Sequence, residues 1–347
     1  MIHFEVACWP SWPTGRDSCH GTLQEDGFEM NILGRLVGAV QKRAPSQVSP
    51  PEALGSLSWI FAGLSRRLEG VRHLWDVEFS GYSQFGEDGI LDFLCQRLQI
   101  AKPRILELGA ADFSECNSRL LAETRSASVF AVDSNPRLET NLRGTDFLWK
   151  NPVITRVTWI TPENVSDIVR EATLEFGGLD LLSLDIDGND FWVSEEIDYS
   201  GISVVVVEYN PIFGASLGIT VPRDDSFARF GGHYSGLYYG CSLRAWVDSF
   251  EARGFSFLGV NRAGHNAFFV RSEALAQFDD ITPQVDRTLS SYCDWRVRDS
   301  RDESGKLTYK PWRHYANELG KLPLVVTSSG ETIFLAEVFE GEANYFG

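Results

Sequence analysis

No stretch of this sequence approaches the about 20 consecutive apolar residues that a membrane-spanning helix needs. The N-terminus also lacks a basic segment followed by an apolar one. Neither a membrane span nor a secretory signal is therefore expected, and the chain reads as a soluble cytoplasmic protein. Basic residues are the scarcer charge: 31 Lys and Arg stand against 48 Asp and Glu, for a formal net charge of -17. Phosphate backbones and anionic lipid surfaces carry the same sign as such a chain, so nucleic acid is a poor candidate partner. Cysteine is sparse and scattered. Cys8, Cys19, Cys95, Cys116, Cys241 and Cys293 include no CxxC pair, so a zinc cluster or a disulfide scaffold is not expected. Free thiols in a reducing compartment are.

What the sequence does have is apolar mass and alternation. Hydrophobic residues make up 43% of its 347 positions, enough for a sizeable core. Residues 1–29 are rich in Trp, Pro, Gly, Cys and His without periodicity, whereas Met30 opens an amphipathic pattern. Met30 is accordingly read as the biological start, and 1–29 as a disordered or mis-called extension. Residues 30–80 read as a helical N-terminal segment with a Pro/Ser-rich linker from Ala44 to Pro51 and a helix over 54–68. From 81 to 275 short apolar runs alternate with helical patterns, which predicts a mainly parallel sheet in an α/β domain. The expected strands are 104–108, 128–132, 153–159, 179–185 and 204–208, with helices near 117–123, 136–142, 162–176 and 190–196. After a long loop come a helix over 243–253 and strands at 255–260 and 267–270. Only Asn261-Arg262-Ala263-Gly264 and two further residues separate those strands, so they must form a terminal antiparallel hairpin. Residues 276–347 read as a C-terminal extension or cap, with strand-like runs at 322–327 and 332–336.

Chemistry-bearing residues gather at the expected strand ends. The first strand closes in Glu107-Leu108-Gly109-Ala110-Ala111-Asp112, small residues at the carboxyl edge where open α/β sheets bind ligands. The second ends at Asp133, where a carboxylate accepts hydrogen bonds from the two hydroxyls of a ribose. The fourth ends in Asp185-Ile186-Asp187-Gly188-Asn189-Asp190. Like charges this close repel unless a cation or a proton separates them, and a magnesium ion held by Asp185, Asp187 and Asn210 is one expectation. Capping of the next helix by Asn189 or Asp190 is the other. The fifth strand, four valines followed by Glu208-Tyr209-Asn210, brings an acid and an amide to the same edge. Asp187, Glu208 and His233, the last in a glycine-rich loop, are the candidate catalytic bases.

These motifs, in this order from about Tyr82 to Arg271, resemble the FkbM-type S-adenosylmethionine-dependent methyltransferases, in particular a subgroup associated with glycan and polysaccharide biosynthesis. The run Ser83-Gln84-Phe85-Gly86-Glu87-Asp88-Gly89, the pair Asn117-Ser118, Gly240-Cys241-Ser242-Leu243 and Asn266-Ala267-Phe268-Phe269-Val270-Arg271 belong to the likeness. It implies a doubly wound, Rossmann-like class I methyltransferase sheet, with N-terminal helices and a small C-terminal extension. It also implies S-adenosyl-L-methionine contacts from Gln84, Glu87, Glu107, Gly109, Ala110, Asn117, Asp133, Ser134 and Asp185. The expected reaction is O-methylation of a sugar hydroxyl on a small-molecule or glycan acceptor, with a homodimer as one allowed assembly. Where the family usually has a second glycine and another acidic or glycine residue after the first strand, Ala110-Ala111-Asp112-Phe113 makes the cofactor loop less permissive. The alternatives are a metal-dependent glycosyltransferase built on Asp185-Ile186-Asp187, and a non-catalytic cofactor-binding relative.

Overall fold

Short runs rich in Val, Ile and Leu form the strands, and each takes its place through the helix that follows it. The computed structural model describes residues 57, 59–64, 66, 69–143, 147–283 and 300–342, all within one unit, Leu54–Gly347. The expectations for 1–29, for Met30 and for the linker lie outside these residues, as do Cys8, Cys19 and Cys293. Of the helix expected over 54–68, residues 59–64 are helical. No helix among the described residues is long and apolar enough to cross a membrane.

Strand β1 (Arg104–Leu108) lies centrally, parallel to β2 (Ser128–Asp133) on one side and to β4 (Leu181–Leu184) on the other. β3 (Val153–Val157) extends the sheet beyond β2, and β5 (Val204–Glu208) extends it beyond β4. The hairpin of β7 (Phe255–Val260) and β8 (Asn266–Arg271) completes seven strands in the order β3-β2-β1-β4-β5-β8-β7. β8 runs antiparallel to both of its neighbours. This is a doubly wound α/β arrangement, in which successive strands step outward from β1 in one direction and then resume from β4 in the other. The hairpin closes through Asn261, whose side-chain oxygen accepts the backbone N–H of His265 at 3.0 Å and of Asn266 at 3.2 Å.

Alternation along the strands loads both faces. Leu106, Leu108, Leu182, Leu184, Val205 and Val207 pack against α5 (Val165–Phe176), α6 (Asp190–Glu195) and α8 (Leu243–Ala252). Ile105, Val129, Leu181, Val204 and Val206 face α1 (Glu87–Arg97), α2 (Arg119–Arg125) and α3 (Arg137–Leu142), with Phe147 of the short α4 (Phe147–Lys150) packed against the same core. Trp246 of α8 is fully buried and donates its indole N–H to the Glu208 carbonyl at 2.8 Å. The segment before the sheet is clamped by Asp92, which accepts from Arg66 at 2.6 and 2.8 Å and from Arg125 at 2.7 Å.

The tail finds partners that alternation alone did not indicate. β9 (Pro323–Val326) pairs with β10 (Thr332–Phe334) and with β6 (Ile219–Thr220), giving a three-stranded sheet. Its core joins Phe213, Ile219 and Tyr238 to Tyr315, Leu319 of the short α9 (Ala316–Leu319), Leu324 and Leu335. The apolar run at 332–336 is therefore strand only to Phe334. Leu335 opens helix α10 (Leu335–Glu342), because Leu335 and Val338, three residues apart, share one buried helical face.

Candidate active site

One face of the sheet changes character at its carboxyl edge. Ile105, Ala131, Leu181 and Val206 are core residues on the α1 side, and two positions further along the same strands stand Glu107, Asp133, Ser183 and Glu208. Asn266 joins them because β8 enters the sheet at this edge, directly opposite Glu208. With Asp185, one residue past β4, these groups border a cavity of about 540 Å³, a volume ordinary for a ligand site. The cavity opens where β1 and β4 lie side by side and the strand order reverses.

The turn after β1 is fitted closely to the end of β4. Gly109 has φ +93°, and a Cβ built on it would lie 1.5 Å from the Asp185 carbonyl oxygen. The N–H groups of Gly109 and Ala110 both donate to the Val132 carbonyl, at 2.9 and 3.1 Å. Asp133 secures the next residue: one carboxylate oxygen accepts the Ala111 N–H and the other the Asn135 N–H, each at 2.8 Å. Loss of solvent raises the Asp133 pKa, against the pull of those two N–H groups.

Glu107 is buried and turns toward the start of α2. It accepts the N–H of Asn117 at 2.7 Å and of Ser118 at 3.2 Å, together with the Ser118 hydroxyl. Burial raises its pKa. Asn117 in turn donates to Ser183 at 3.0 Å. From α1, Glu87 accepts Asn261 and Asn266 side-chain amides at 2.7 and 2.8 Å, and the Phe85 N–H at 2.9 Å. Gln84 reaches Glu115 at 2.8 Å. Because Glu87 accepts only, the Asn266 amide is oriented with nitrogen toward it. Its buried oxygen has no hydrogen-bond partner.

Carboxylate oxygens of Asp185, Asp187 and Glu208 lie within 4.8 Å of one another. Desolvation, then the neighbouring Glu208, Asp187 and Asp190, drive the Asp185 pKa well up. Asp190 shapes the turn, accepting the N–H of Ile186 at 2.8 Å and of Gly188 at 2.9 Å. Burial raises it to about 7. Asp187 sits at φ +57° and is paired with Arg229 of α7 (Arg229–Gly232). Arg229 also donates to the Gly236 carbonyl at 2.7 Å and lies 4.0 Å from the Tyr239 ring centroid.

The cavity is lined by Gln84, Glu87, Glu107, Gly109, Asn117, Asp133, Ser134, Asp185, Asp187 and Glu208, all expected from the sequence. Ala110 is buried beside it, and Ala111 takes its place in the lining. Asn210 is a correction. Its amide donates to the carbonyls of Leu237 and Tyr239 at 3.0 and 3.1 Å, and its oxygen accepts the Ile212 N–H. These bonds place it in a turn outside the cavity lining, and Glu208 stands in the acidic group instead. His233 is also directed elsewhere: it contacts Ser235 at 2.7 Å and Glu318 at 3.7 Å, and stacks on Tyr234. Burial lowers its pKa. Residues not singled out from sequence include Trp159, Phe227, Arg229, Phe230 and Arg301; Arg229 and Phe230 lie in the single-turn α7 and the others outside helices and named strands, where periodicity carries little signal. Cys95, Cys116 and Cys241 are buried thiols whose pKa values burial pushes up.

No family model and no curated protein matches the chain. Among solved structures it is similar to coclaurine N-methyltransferase bound to N-methylheliamine and SAH, at 15% identity over 67% of this chain and 71% of that one, with a TM-score of 0.30. It is also similar to a protein named as an O-methyltransferase from Nostoc punctiforme PCC 73102, at 14% identity over 64% and 69%, with a TM-score of 0.29. Likeness this remote carries no chemistry across, so the functional reading rests on the residues of this site.

Proposed function

We propose that the chain is an S-adenosylmethionine-dependent O-methyltransferase acting on a sugar hydroxyl of a glycan, a polysaccharide or a glycosylated metabolite. One observation carries the reading: Glu107, Gly109, Asp133 and Asp185, from three neighbouring strands, border a single cavity at the strand-order reversal. The residues fit the cofactor at both ends. Each Asp133 oxygen takes one N–H and keeps a lone pair for a ribose hydroxyl. Gly109 leaves bare backbone for close approach, and the acidic group at Asp185, Asp187 and Glu208 suits a positive charge.

When bound, the cofactor supplies an activated methyl group on a sulfonium. Glu208, beside Asp185, would take the proton of an acceptor hydroxyl held against it. A sugar is favoured by Trp159 and Phe230, half-exposed rings on the cavity lining whose faces suit sugar C–H groups. Trp159 is held in place by its N–H bond to the Asp225 carbonyl at 2.8 Å.

The same carboxylates offer the oxygen ligands magnesium prefers. Arg229 already pairs with Asp187, however, and Asn210 is engaged in a turn, so we assign the group to the ligand's own positive charge. A glycosyltransferase holding metal through Asp185 and Asp187 meets the same obstacle and leaves the pairing of Gly109 with Asp133 unexplained.

Calorimetry with S-adenosylhomocysteine tests the proposal. The wild-type chain binds it, and Asp133→Asn, which keeps the side-chain shape, weakens binding by about ten- to a hundred-fold at an unchanged fold. No binding to the wild-type chain, or full affinity in the variant, overturns the reading.

A further inference from the structure

The cavity wall is electrically lopsided. Eight carboxylate residues line it against two cationic ones, Arg229 and Arg301. Arg229 is committed to Asp187, the Gly236 carbonyl and the Tyr239 ring. Arg301 has no carboxylate partner among the described residues, although acidic residues outnumber basic ones by 48 to 31 in the sequence. Its guanidinium donates to the Gly305 carbonyl at 3.2 Å and lies 4.8 Å from the Phe230 ring centroid.

Arg301 is also held in place by its surroundings. It sits in a tight hairpin bridged to Leu307. Asp302 organises that hairpin by accepting the N–H groups of Ser304 and Lys306 at 2.9 and 3.0 Å. Thr308 joins its base to the buried Tyr315 hydroxyl at 2.5 Å, anchoring the hairpin in the second core. The C-terminal extension thus delivers a positive charge to a cavity otherwise walled by acids. One guanidinium face rests on Phe230, while edge donors remain for a ligand.

A stacked guanidinium with spare edge donors is suited to an oxyanion, which it grips through paired N–H bonds. We infer that Arg301 is a specificity-determining residue that recognises an anionic group on the acceptor, so that the acceptor is an acidic sugar. The shared chemistry is a phosphate or carboxylate on the sugar, with the reacting hydroxyl directed toward Glu208. This rests on the methyltransferase reading for the reaction, though not for the anion contact itself. It also separates the charges of the two substrates: the cationic donor meets Asp185, Asp187 and Glu208, and the anionic acceptor meets Arg301.

The test titrates glucose 1-phosphate, glucuronic acid and glucose into the full chain saturated with S-adenosylhomocysteine, and repeats this for Arg301→Gln and Arg301→Lys. At least one acidic sugar binds about ten-fold or more tighter than glucose, and which one it is separates phosphate from carboxylate. Arg301→Gln removes that advantage, Arg301→Lys restores part of it, and S-adenosylhomocysteine affinity and melting temperature stay at wild-type values. Acidic sugars binding no better than glucose, or binding equally well to Arg301→Gln, overturns the inference. If S-adenosylhomocysteine fails to bind while glucose 1-phosphate still binds through Arg301, the cofactor assignment falls and the anion site stands.

Discussion

Gly109 has two separate reasons to be glycine: its φ of +93° and the absence of room for a Cβ 1.5 Å from the Asp185 carbonyl oxygen. Gly177 provides a control, since it ends α5 at φ +70° with nothing within 4 Å of a built Cβ. Gly177→Ala should cost about 1 kcal/mol from backbone strain alone. Gly109→Ala should cost about 3 kcal/mol or more, because backbone must move to admit the methyl. Urea unfolding of the two variants compares them directly, and equal losses would refute the close approach of β1 to β4. Gly109 was legible in the sequence as a small residue after a strand. The clash that requires it was not, because Asp185 follows a strand that adjoins β1 only in the folded sheet. Asn266 is similar: it stood in a recognisable motif, but its partner Glu87 is 179 residues away along the chain.

The turn between β4 and α6 behaves as a unit, held by Asp190 across the N–H groups of Ile186 and Gly188. Asp190→Ala leaves both buried donors without that acceptor and should cost about 2 kcal/mol. It should also sharply reduce turnover, since the turn positions Asp185 and Asp187. Asp190→Asn keeps one acceptor oxygen and should recover part of both. Thermal melting and methyl-transfer assays measure the two effects, and a fully active Asp190→Ala would show that the turn holds its shape without its anchor. Strands were the elements most readable from sequence. β1 and β5 fall at the expected residues, because each is a short apolar run whose two faces are both buried. The tail strands could be located but not paired, because β6 is only two residues long and leaves almost no pattern.

Across the whole molecule, buried carboxyl groups set the response to pH. Burial raises Asp88 and Asp190 from 3.8 to about 7 and Glu78 from 4.5 to about 7. Asp185 is raised as well, by burial and its acidic neighbours. The folded chain therefore holds more protons than the unfolded chain between about pH 4 and pH 7. The stability these groups contribute is complete below their unfolded values and is lost as pH rises through their folded ones. Asp112, Asp198 and Asp280 are shifted the opposite way by hydrogen bonds from Ser114, Ser200 and Arg97, and their contribution is lost only in stronger acid. Growing negative charge on a chain of formal net charge -17 acts in the same direction as the buried acids. The urea midpoint should fall from pH 5.5 to pH 8, and a rise over that interval would contradict the cost of burying these groups in their charged form.

By itself the sequence determined the α/β class, the positions of the strands and the acids at their ends, because hydrophobic period and strand-end composition are properties of neighbouring residues. Only the tertiary structure decided which of those acids share a cavity, that Asn210 holds a turn while Glu208 joins the acidic group, and that Arg301 arrives from the C-terminal extension. Each depends on contacts between residues distant in the chain, whose geometry is fixed by sheet order and packing, and local pattern contains neither.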